Sequence, residues 1–339
     1  MSLGQRSDIR ISVIIIAYQR KEYIVKAVKS ALDQDFGKDE YEIIVVKNFS
    51  DSYIDEYLQN HGVINVLSTN TGIGKKFVEG LLLSTGEIAC FLEDDDIFLK
   101  NKINEVYQTF TKHRDLIYYH NNASFIDEIG EPLSDFRTIA SRKITKTGEI
   151  YVKNEDKDDA VFKLFSLGPY WNNSCISIRK SLFLSYLGIL SNIDTIFDGA
   201  IFFCALCSRG DILLTGTVLN YYRITRKSAT QVAKLDDETH SNISASNLDD
   251  IFIIEGMVSD SLGKKSKTFE RLIAERMTWE LKKLIYSESA SRLDAVKYLL
   301  HAVRAQRISL SLIKSNLFQL SSMLLFLVSP KMSRKTKIA

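Results

Sequence analysis

Proline and cysteine are scarce in this chain of 339 residues, which contains three prolines and four cysteines. So few prolines leave little room for a Pro-rich linker or a disordered tract. Cys204 and Cys207 have C-x-x-C spacing, but no second pair and no histidine cluster accompanies them, which argues against a zinc site. We expect these cysteines to be reduced thiols that pack as small apolar side chains.

A secretory leader and a charge of one sign are also lacking. Met1 to Leu3 is followed by a polar run rather than an apolar stretch, so we expect a cytoplasmic protein. The formal net charge of +2 argues against a nucleic-acid partner, because such proteins usually carry a concentrated basic stripe. An apolar fraction of 45% and a charged fraction of 25% allow an ordinary globular core.

The first part of the chain alternates strand-like and helix-like segments. Strand patterns, rich in β-branched residues, occur at 11–17, 42–46, 63–67 and 88–92, and helical spacing occurs at 21–32, 51–59 and 75–84. This alternation predicts an α/β fold, with a doubly wound, mostly parallel sheet of the Rossmann-like nucleotide-binding kind. In such sheets ligands bind beyond the carboxyl ends of the strands.

Four carboxylates in a row, Glu93 to Asp96, directly follow the buried strand at 88–92. Carboxylates crowded at the ligand-binding edge of a sheet repel one another unless a cation compensates them. Mg²⁺ and Mn²⁺ take oxygen ligands and commonly bridge to diphosphate oxygens. The run therefore predicts a metal-assisted reaction with a nucleoside diphosphate as its leaving group.

An ordered series of segments resembles the family 2 glycosyltransferases, an inverting group with the GT-A fold. The matching segments are 12–20, 43–48, 70–72, 80–88, 92–96 and 221–223, and the resemblance covers residues 10 to 230. It implies a glycosyltransferase that moves a sugar from a nucleotide-sugar donor to a glycan or lipid-linked acceptor, with inversion.

The resemblance implies a metal site in the acidic run. Glu93 and Asp95 occupy the family's D-x-D positions, which implies that both bind Mg²⁺ or Mn²⁺, while Asp94 contacts the donor ribose or the metal. Asp96 has another interpretation, as the N-cap of the following helix.

Donor-binding residues are implied after the first three strands. Ala17, Tyr18, Arg20 and Glu22 lie where the family places the base and ribose; after the second strand Asn48 is a candidate, and after the third Asn70, Gly72 and Lys76. Beside Asn48 the family usually has an acidic acceptor for the base. This chain has Lys47, which cannot accept a hydrogen bond, so the donor base stays open.

The family's catalytic base and acceptor contacts are implied later in the chain. Asp198, at the start of an apolar helix, matches the base, with a plain N-cap as the alternative and Asp194 as the reserve candidate. Trp171 is an acceptor candidate because aromatic rings stack on sugars, although a core position is equally consistent. Arg223 is expected to contact the leaving diphosphate.

From residue 249 onward the pattern becomes helical. Segments 269–286, 292–305 and 308–328 have helical spacing, and a basic tail follows. The last helix docks either on an anionic membrane surface or against the catalytic domain or a second subunit of a homodimer. We therefore predict a catalytic domain at 8–230 and a C-terminal α-helical extension at 249–339.

One other function remains open, and a second is disfavoured by the loop after the first strand. Lys47 and Phe197, which replace acidic family residues, allow a non-catalytic protein that binds sugar nucleotides or acts as a scaffold on the same fold. A nucleotidyltransferase would have a Gly-rich basic loop after the first strand, where this chain has Ala17 to Arg20.

Overall fold

A computed structural model of the chain describes residues 9–133, 148–168, 171–225, 246–247, 249–258, 296 and 300. The chain divides into two compact units, Met1–Ile224 and Thr225–Ala339. Residues 249–258 are helical. Apart from residues 296 and 300, the predicted helices at 269–286, 292–305 and 308–328 lie outside the described residues, so the C-terminal assignments and the domain boundaries stay predictions. No helix in the described ranges is long and apolar enough to cross a bilayer.

The first unit is built on a nine-stranded mixed sheet with the order β3-β2-β1-β4-β8-β6-β9-β5, and β7 pairs with β9. The strands are β1 Ile11–Ala17, β2 Tyr41–Lys47, β3 Ile64–Leu67, β4 Ile88–Glu93, β5 Ile97–Phe98, β6 Leu116–Ile126, β7 Glu149–Val152, β8 Ile176–Arg179 and β9 Asp211–Arg223. The helices are α1 Ile24–Leu32, α2 Ser52–Asn60, α3 Ile73–Leu83, α4 Lys102–Lys112, α5 Lys157–Leu167, α6 Ser181–Leu184, α7 Leu187–Leu190 and α8 Phe197–Cys207.

The predicted parallel core is confirmed in the first half. Strand β1 pairs in parallel with β2 and β4, and β2 pairs in parallel with β3. Every residue of β1 is buried, and all but Ser12 are apolar, as expected for a strand covered on both faces. The second half is mixed rather than parallel, because β8 runs antiparallel to both β4 and β6.

Helices cover both faces of the parallel core. Ile54 and Leu58 of α2 join a buried cluster with Val13 and Val45 on one face. On the other face α3 lies so close to the sheet that a Cβ at Gly80 would overlap the Ile14 side chain. This close approach explains why a residue without a side chain occupies position 80.

The parallel register brings the ends of β1 and β4 together. Ile16 lies opposite Glu93, so the loop after Ala17 and the acidic run after β4 begin side by side. The donor residues that the resemblance implies after β1 and the acidic run therefore start from neighbouring strand ends, at the ligand-binding edge of a doubly wound sheet.

Candidate active site at the carboxyl edge of the sheet

The acidic run after β4 forms a tight turn, in which the Asp96 N–H donates to the Glu93 carbonyl at 3.2 Å. Asp94, Asp95 and Asp96 are buried and Glu93 is half-buried. Burial, together with the neighbouring Asp95 charge, raises the pKa of Glu93 to about 7. Burial also raises the pKa of Asp94 to about 7, although Arg20 opposes this shift. The turn concentrates negative charge that needs a cation.

Arg20 supplies that cation. Its Nη1 lies 2.8 Å from Asp95 Oδ2, and its Nε and Nη2 both pair with Asp94 Oδ1. Burial opposes the charge of Arg20, but Asp94 and Asp95 outweigh it and raise its pKa. The guanidinium therefore bridges the loop after β1 to the loop after β4.

Asp96 is turned away from this cation and into the fold. Its Oδ2 accepts from Ser174 Oγ at 2.6 Å, and its Oδ1 accepts from the Arg223 backbone N–H at 3.0 Å. The interpretation of Asp96 as a helix N-cap is wrong, because α4 begins at Lys102 and its N-cap is Asn101. A completely buried aspartate is instead used to tie β9 to the acidic turn.

Arg223, at the end of β9, holds backbone rather than reaching out of the fold. Its Nε donates to the Asp95 carbonyl at 2.9 Å, and its Nη1 donates to the carbonyls of Asp127 and Glu128. The side chain is 1% exposed, and Nη2 has no hydrogen-bond partner in the described part of the chain. Its contact with diphosphate stays a prediction, while its observed contacts fix the shape of the acidic turn.

Asp198 lies in the first turn of α8, whose N-cap is Ile196, so it is not the cap itself. Its Oδ1 accepts from the Gly199 N–H at 2.8 Å, and its Oδ2 accepts from the Asn172 N–H at 3.0 Å. The side chain is half-buried. Its charge acts to raise the pKa of Glu93, which brings the candidate base into the electrostatic surroundings of the candidate metal ligand.

Asn173, the residue after the Asn172 that binds Asp198, contacts the acidic run. Its Nδ2 donates to Glu93 Oε1 at 2.9 Å, and Ser174 Oγ accepts from the Glu93 N–H at 3.0 Å. Neither residue was singled out from the sequence for this role. The only signal was the polar stretch before β8, and a polar stretch of that kind is usually a surface loop.

The loop after β1 carries the exposed ring of Tyr18. Lys76 Nζ lies 4.5 Å from the centre of this ring and donates to the Thr71 carbonyl at 3.0 Å. Burial lowers the pKa of Lys76, while the Asp94 charge opposes the shift. Gln19, next to Tyr18, has φ of 54° and donates its N–H to Asn48 Oδ1 at 2.9 Å. Asn48 therefore supports the loop that presents Tyr18 and Arg20.

The contacts of Lys47 show what this residue does in place of the acidic residue that the family usually has. Its Nζ lies 2.7 Å from Asp55 Oδ1 and donates to the Phe49 carbonyl at 2.7 Å, so it is paired with α2 and its side chain is 1% exposed. Phe197, the other departure, is fully buried, with its ring stacked on Phe77 at 4.4 Å.

Glycines allow the start of α3 to meet the 190–194 segment. A Cβ at Gly74 would overlap the carbonyl oxygens of Leu190 and Ile193, and a Cβ at Gly72 would overlap Asp194 Oδ1. This contact brings the exposed Asp194 beside Gly72, where the donor pocket was predicted. Asn70 is held by Glu79 of α3. Glu22 is exposed beside this edge, and Ala17 is the buried last residue of β1.

Trp171 is half-buried in an aromatic group above β6 and β9. Its ring lies 5.8 Å from Phe125 in a stacked arrangement and 5.1 Å from Tyr222. It directly precedes Asn172, whose N–H binds Asp198. Both of its expected uses are compatible with this place, so the acceptor role stays a prediction.

The residues present are suited to a hard divalent cation. Glu93 and Asp95 offer carboxylate oxygens, and Asp94 Oδ2 is buried with no hydrogen-bond partner in the described ranges. No group of three or more acidic, histidine or cysteine side chains converges as a metal cage among the described residues. Mg²⁺ usually binds through one or two carboxylates plus substrate phosphates rather than in such a cage. Glu93 and Asp95 therefore fit as a partial ligand set that a diphosphate completes.

Comparison of the sequence with known proteins finds similarity to glycosyltransferases. Residues 12–165 match the family model described as glycosyl transferase family 2. An uncharacterized glycosyltransferase of Rickettsia bellii is 27% identical over 135 residues, which is 39% of this chain and 19% of that protein. The poly(ribitol-phosphate) β-N-acetylglucosaminyltransferase TarS of Staphylococcus aureus is 22% identical over 243 residues, which is 69% of this chain and 42% of TarS. The chain thus spans less than half the length of these relatives.

Solved structures confirm the fold. S. aureus TarS 1-349 in complex with UDP-GlcNAc superposes with a TM-score of 0.52 at 18% identity, covering 88% of each chain. The same fragment with UDP gives the same TM-score and coverage. At this identity the likeness establishes the α/β GT-A-like architecture that the sequence predicted, and the residue roles stay predictions.

Proposed function

We propose that the chain, whose residues 12–165 match the model described as glycosyl transferase family 2, is a family 2 glycosyltransferase. It transfers a sugar from a nucleoside-diphosphate sugar to a hydroxyl of a glycan or lipid-linked acceptor. The observation that carries the proposal is the convergence of Arg20, Glu93, Asp95 and Asp198 at one edge of the sheet. A paired acidic turn beside a separate half-buried carboxylate is the arrangement that donor binding and acceptor activation require.

The donor is held from both sides of the β1 and β4 ends. Tyr18 offers an exposed ring for the base, and Arg20 and Lys76 offer cations near the diphosphate. We propose that Glu93 and Asp95 hold Mg²⁺ or Mn²⁺, which stabilises the charge on the departing diphosphate when bound. UDP-GlcNAc is the first donor to test, because TarS binds it.

Asp198 acts as the base. Its carboxylate takes the proton of the acceptor hydroxyl while that oxygen bonds to the anomeric carbon and the diphosphate leaves from the opposite face. One displacement of this kind inverts the anomeric configuration. The hydrogen bonds from Asn172 and Gly199 stabilise the carboxylate form and hold its orientation.

Calorimetric titration tests the donor site. UDP, UDP-GlcNAc and other nucleoside diphosphates are titrated with and without Mn²⁺ into the wild type, Asp95→Asn and the control Asp159→Asn, an exposed residue of α5. We expect Mn²⁺-dependent binding of one nucleotide that weakens by about tenfold or more in Asp95→Asn alone. Binding without any turnover of donor would favour the non-catalytic alternative, and no binding by folded protein would contradict the proposal.

A further inference from the structure

The segment Asn172–Ser174, just before β8, touches both halves of the candidate site. At one end the Asn172 N–H donates to Asp198 Oδ2 at 3.0 Å. At the other end Asn173 Nδ2 donates to Glu93 Oε1 at 2.9 Å, and Ser174 Oγ donates to Asp96 Oδ2 at 2.6 Å. Three consecutive residues therefore connect the candidate base to the candidate metal turn.

The segment is built to keep a fixed shape. Asn172 has φ of 59°, in the left-handed region that a residue with a side chain rarely adopts. Its Oδ1 accepts from the Ser174 N–H at 2.8 Å, and its carbonyl accepts from the Cys175 N–H at 3.0 Å. Asparagine tolerates this conformation because its short amide can form such local hydrogen bonds.

Buried groups support the segment from behind. Asn172, Asn173 and Ser174 are at most 4% exposed, and Lys102 Nζ lies 3.5 Å from the Ser174 carbonyl. Two amide atoms, Asn172 Nδ2 and Asn173 Oδ1, are buried without a hydrogen-bond partner among the described residues. Leaving such atoms unpaired costs stability, so packing alone does not account for two asparagines here.

We propose that Asn172–Ser174 is a positioning segment that fixes Asp198 relative to Glu93 and so links acceptor activation to donor binding. The proposal rests on the proposed function and extends it to residues outside the D-x-D positions and the base. Asn173 acts through Glu93 and Asn172 acts through Asp198, so each is a positioning residue with its own kinetic signature.

Two variants of Asn172 separate conformation from mere packing. Asn172→Gly keeps the backbone N–H and allows positive φ, whereas Asn172→Ala keeps the N–H but disfavours that conformation. We expect Asn172→Ala to lower kcat for donor turnover by about tenfold or more, with donor KM within about threefold of wild type, and Asn172→Gly to stay within about threefold in kcat. Asn173→Ala is expected to raise donor KM by about tenfold, because the Glu93 carboxylate loses its hydrogen bond from Asn173 Nδ2.

Amide hydrogen exchange gives a measurement that needs no turnover. In the 339-residue protein we expect Asn173→Ala, which removes the contact to Glu93, to speed exchange of the Asn172 amide by about tenfold. We expect Asp198→Ala to speed it as well. Unchanged exchange at Asn172 in Asn173→Ala would overturn the proposed link, whether or not the protein turns over a donor. A wild type that turns over no donor would overturn the proposed function, and the exchange result would still decide the link.

Equal effects in the two Asn172 variants would also contradict the proposal. If Ala and Gly lower the folded fraction alike and leave kcat per folded molecule unchanged, the segment is only a structural connection.

Discussion

Arg20 and Asp94 form an ion pair whose carboxylate is almost fully buried, with 4% of the Asp94 side chain and 22% of the Arg20 side chain exposed. The same guanidinium reaches Asp95 at 2.8 Å. One cation thus compensates two adjacent carboxylates at the point where the donor diphosphate is proposed to bind.

Loss of this cation is predicted to destabilise the fold. Arg20→Met leaves Asp94 and Asp95 buried without their partner, so we expect the free energy of unfolding at neutral pH to fall by about 3 kcal/mol. The loss should shrink as the pH is lowered, because the two carboxylates then become protonated. Denaturant unfolding of wild type and Arg20→Met, at neutral pH and at successively lower pH, measures this difference in unfolding free energy.

The control for that experiment is Arg10→Met, which removes an ion pair to Glu40 with 45% and 44% of the side chains exposed. Exposed pairs contribute about 1 kcal/mol or less. Similar losses for Arg10→Met and Arg20→Met would argue against a special role for Arg20.

A buried lysine gives a pH-dependent stability that can be measured. Lys102 Nζ bonds to Asn121, and burial lowers its pKa from 10.5 to about 8. Between these two values the unfolded chain binds more protons than the folded protein, so stability contributed by this group rises with pH. The difference in unfolding free energy between wild type and Lys102→Met should therefore grow between pH 8 and 10.5, by on the order of 3 kcal/mol.

Lys112→Met is the matched control, since Lys112 is exposed at the other end of α4. Its difference from wild type should stay flat over the same range. If the difference in unfolding free energy between wild type and Lys102→Met also does not change with pH, burial does not lower the pKa of Lys102.

The close approach at Gly74 predicts a strong effect of one added methyl group. In Gly74→Ala the new Cβ meets two backbone carbonyls, which cannot rotate away. We expect α3 to move from the 190–193 segment, with a loss of about 2 kcal/mol or more in unfolding free energy and weaker donor binding. Thermal unfolding and donor titration measure the two effects.

Gly188→Ala, in the short helix α7, adds its methyl group where nothing lies within 4 Å. It should leave both stability and donor binding nearly unchanged. If Gly74→Ala also leaves stability and donor binding nearly unchanged, the close contact between α3 and residues 190–193 can adjust to the added methyl group, and the prediction is wrong.

Much of the fold could be predicted because its pattern is local. The apolar run of β1, the helical spacing of α1 and the acidic run after β4 each carry their own signal over a few residues. Even there the boundaries moved, since α1 begins at Ile24 rather than at Lys21. The antiparallel β8 could not be placed from sequence, because a short apolar strand does not record the direction of its neighbours.

The site was predictable only where a residue stands at the end of a strand or shortly after it. Glu93 ends β4, Asp95 and Arg20 come shortly after β4 and β1, and the three residues lie together. Asn173 and Ser174 reach Glu93 from about 80 positions along the chain, and nothing in their local sequence indicates that distant contact. Arg223 was predicted to contact the donor diphosphate from its place at the end of a strand. In the structure its guanidinium donates to backbone carbonyls instead.

Replacement of Asp198 tests the central claim most directly. Release of nucleoside diphosphate from the donor is measured for wild type, Asp198→Asn and the neighbouring control Asp194→Asn, with donor affinity measured in parallel. The account predicts that Asp198→Asn lowers kcat by about a hundredfold or more while donor affinity stays within about threefold, because a carboxamide cannot take the proton. Full turnover in Asp198→Asn would contradict the account, and loss of turnover in Asp194→Asn alone would assign the base to Asp194 instead.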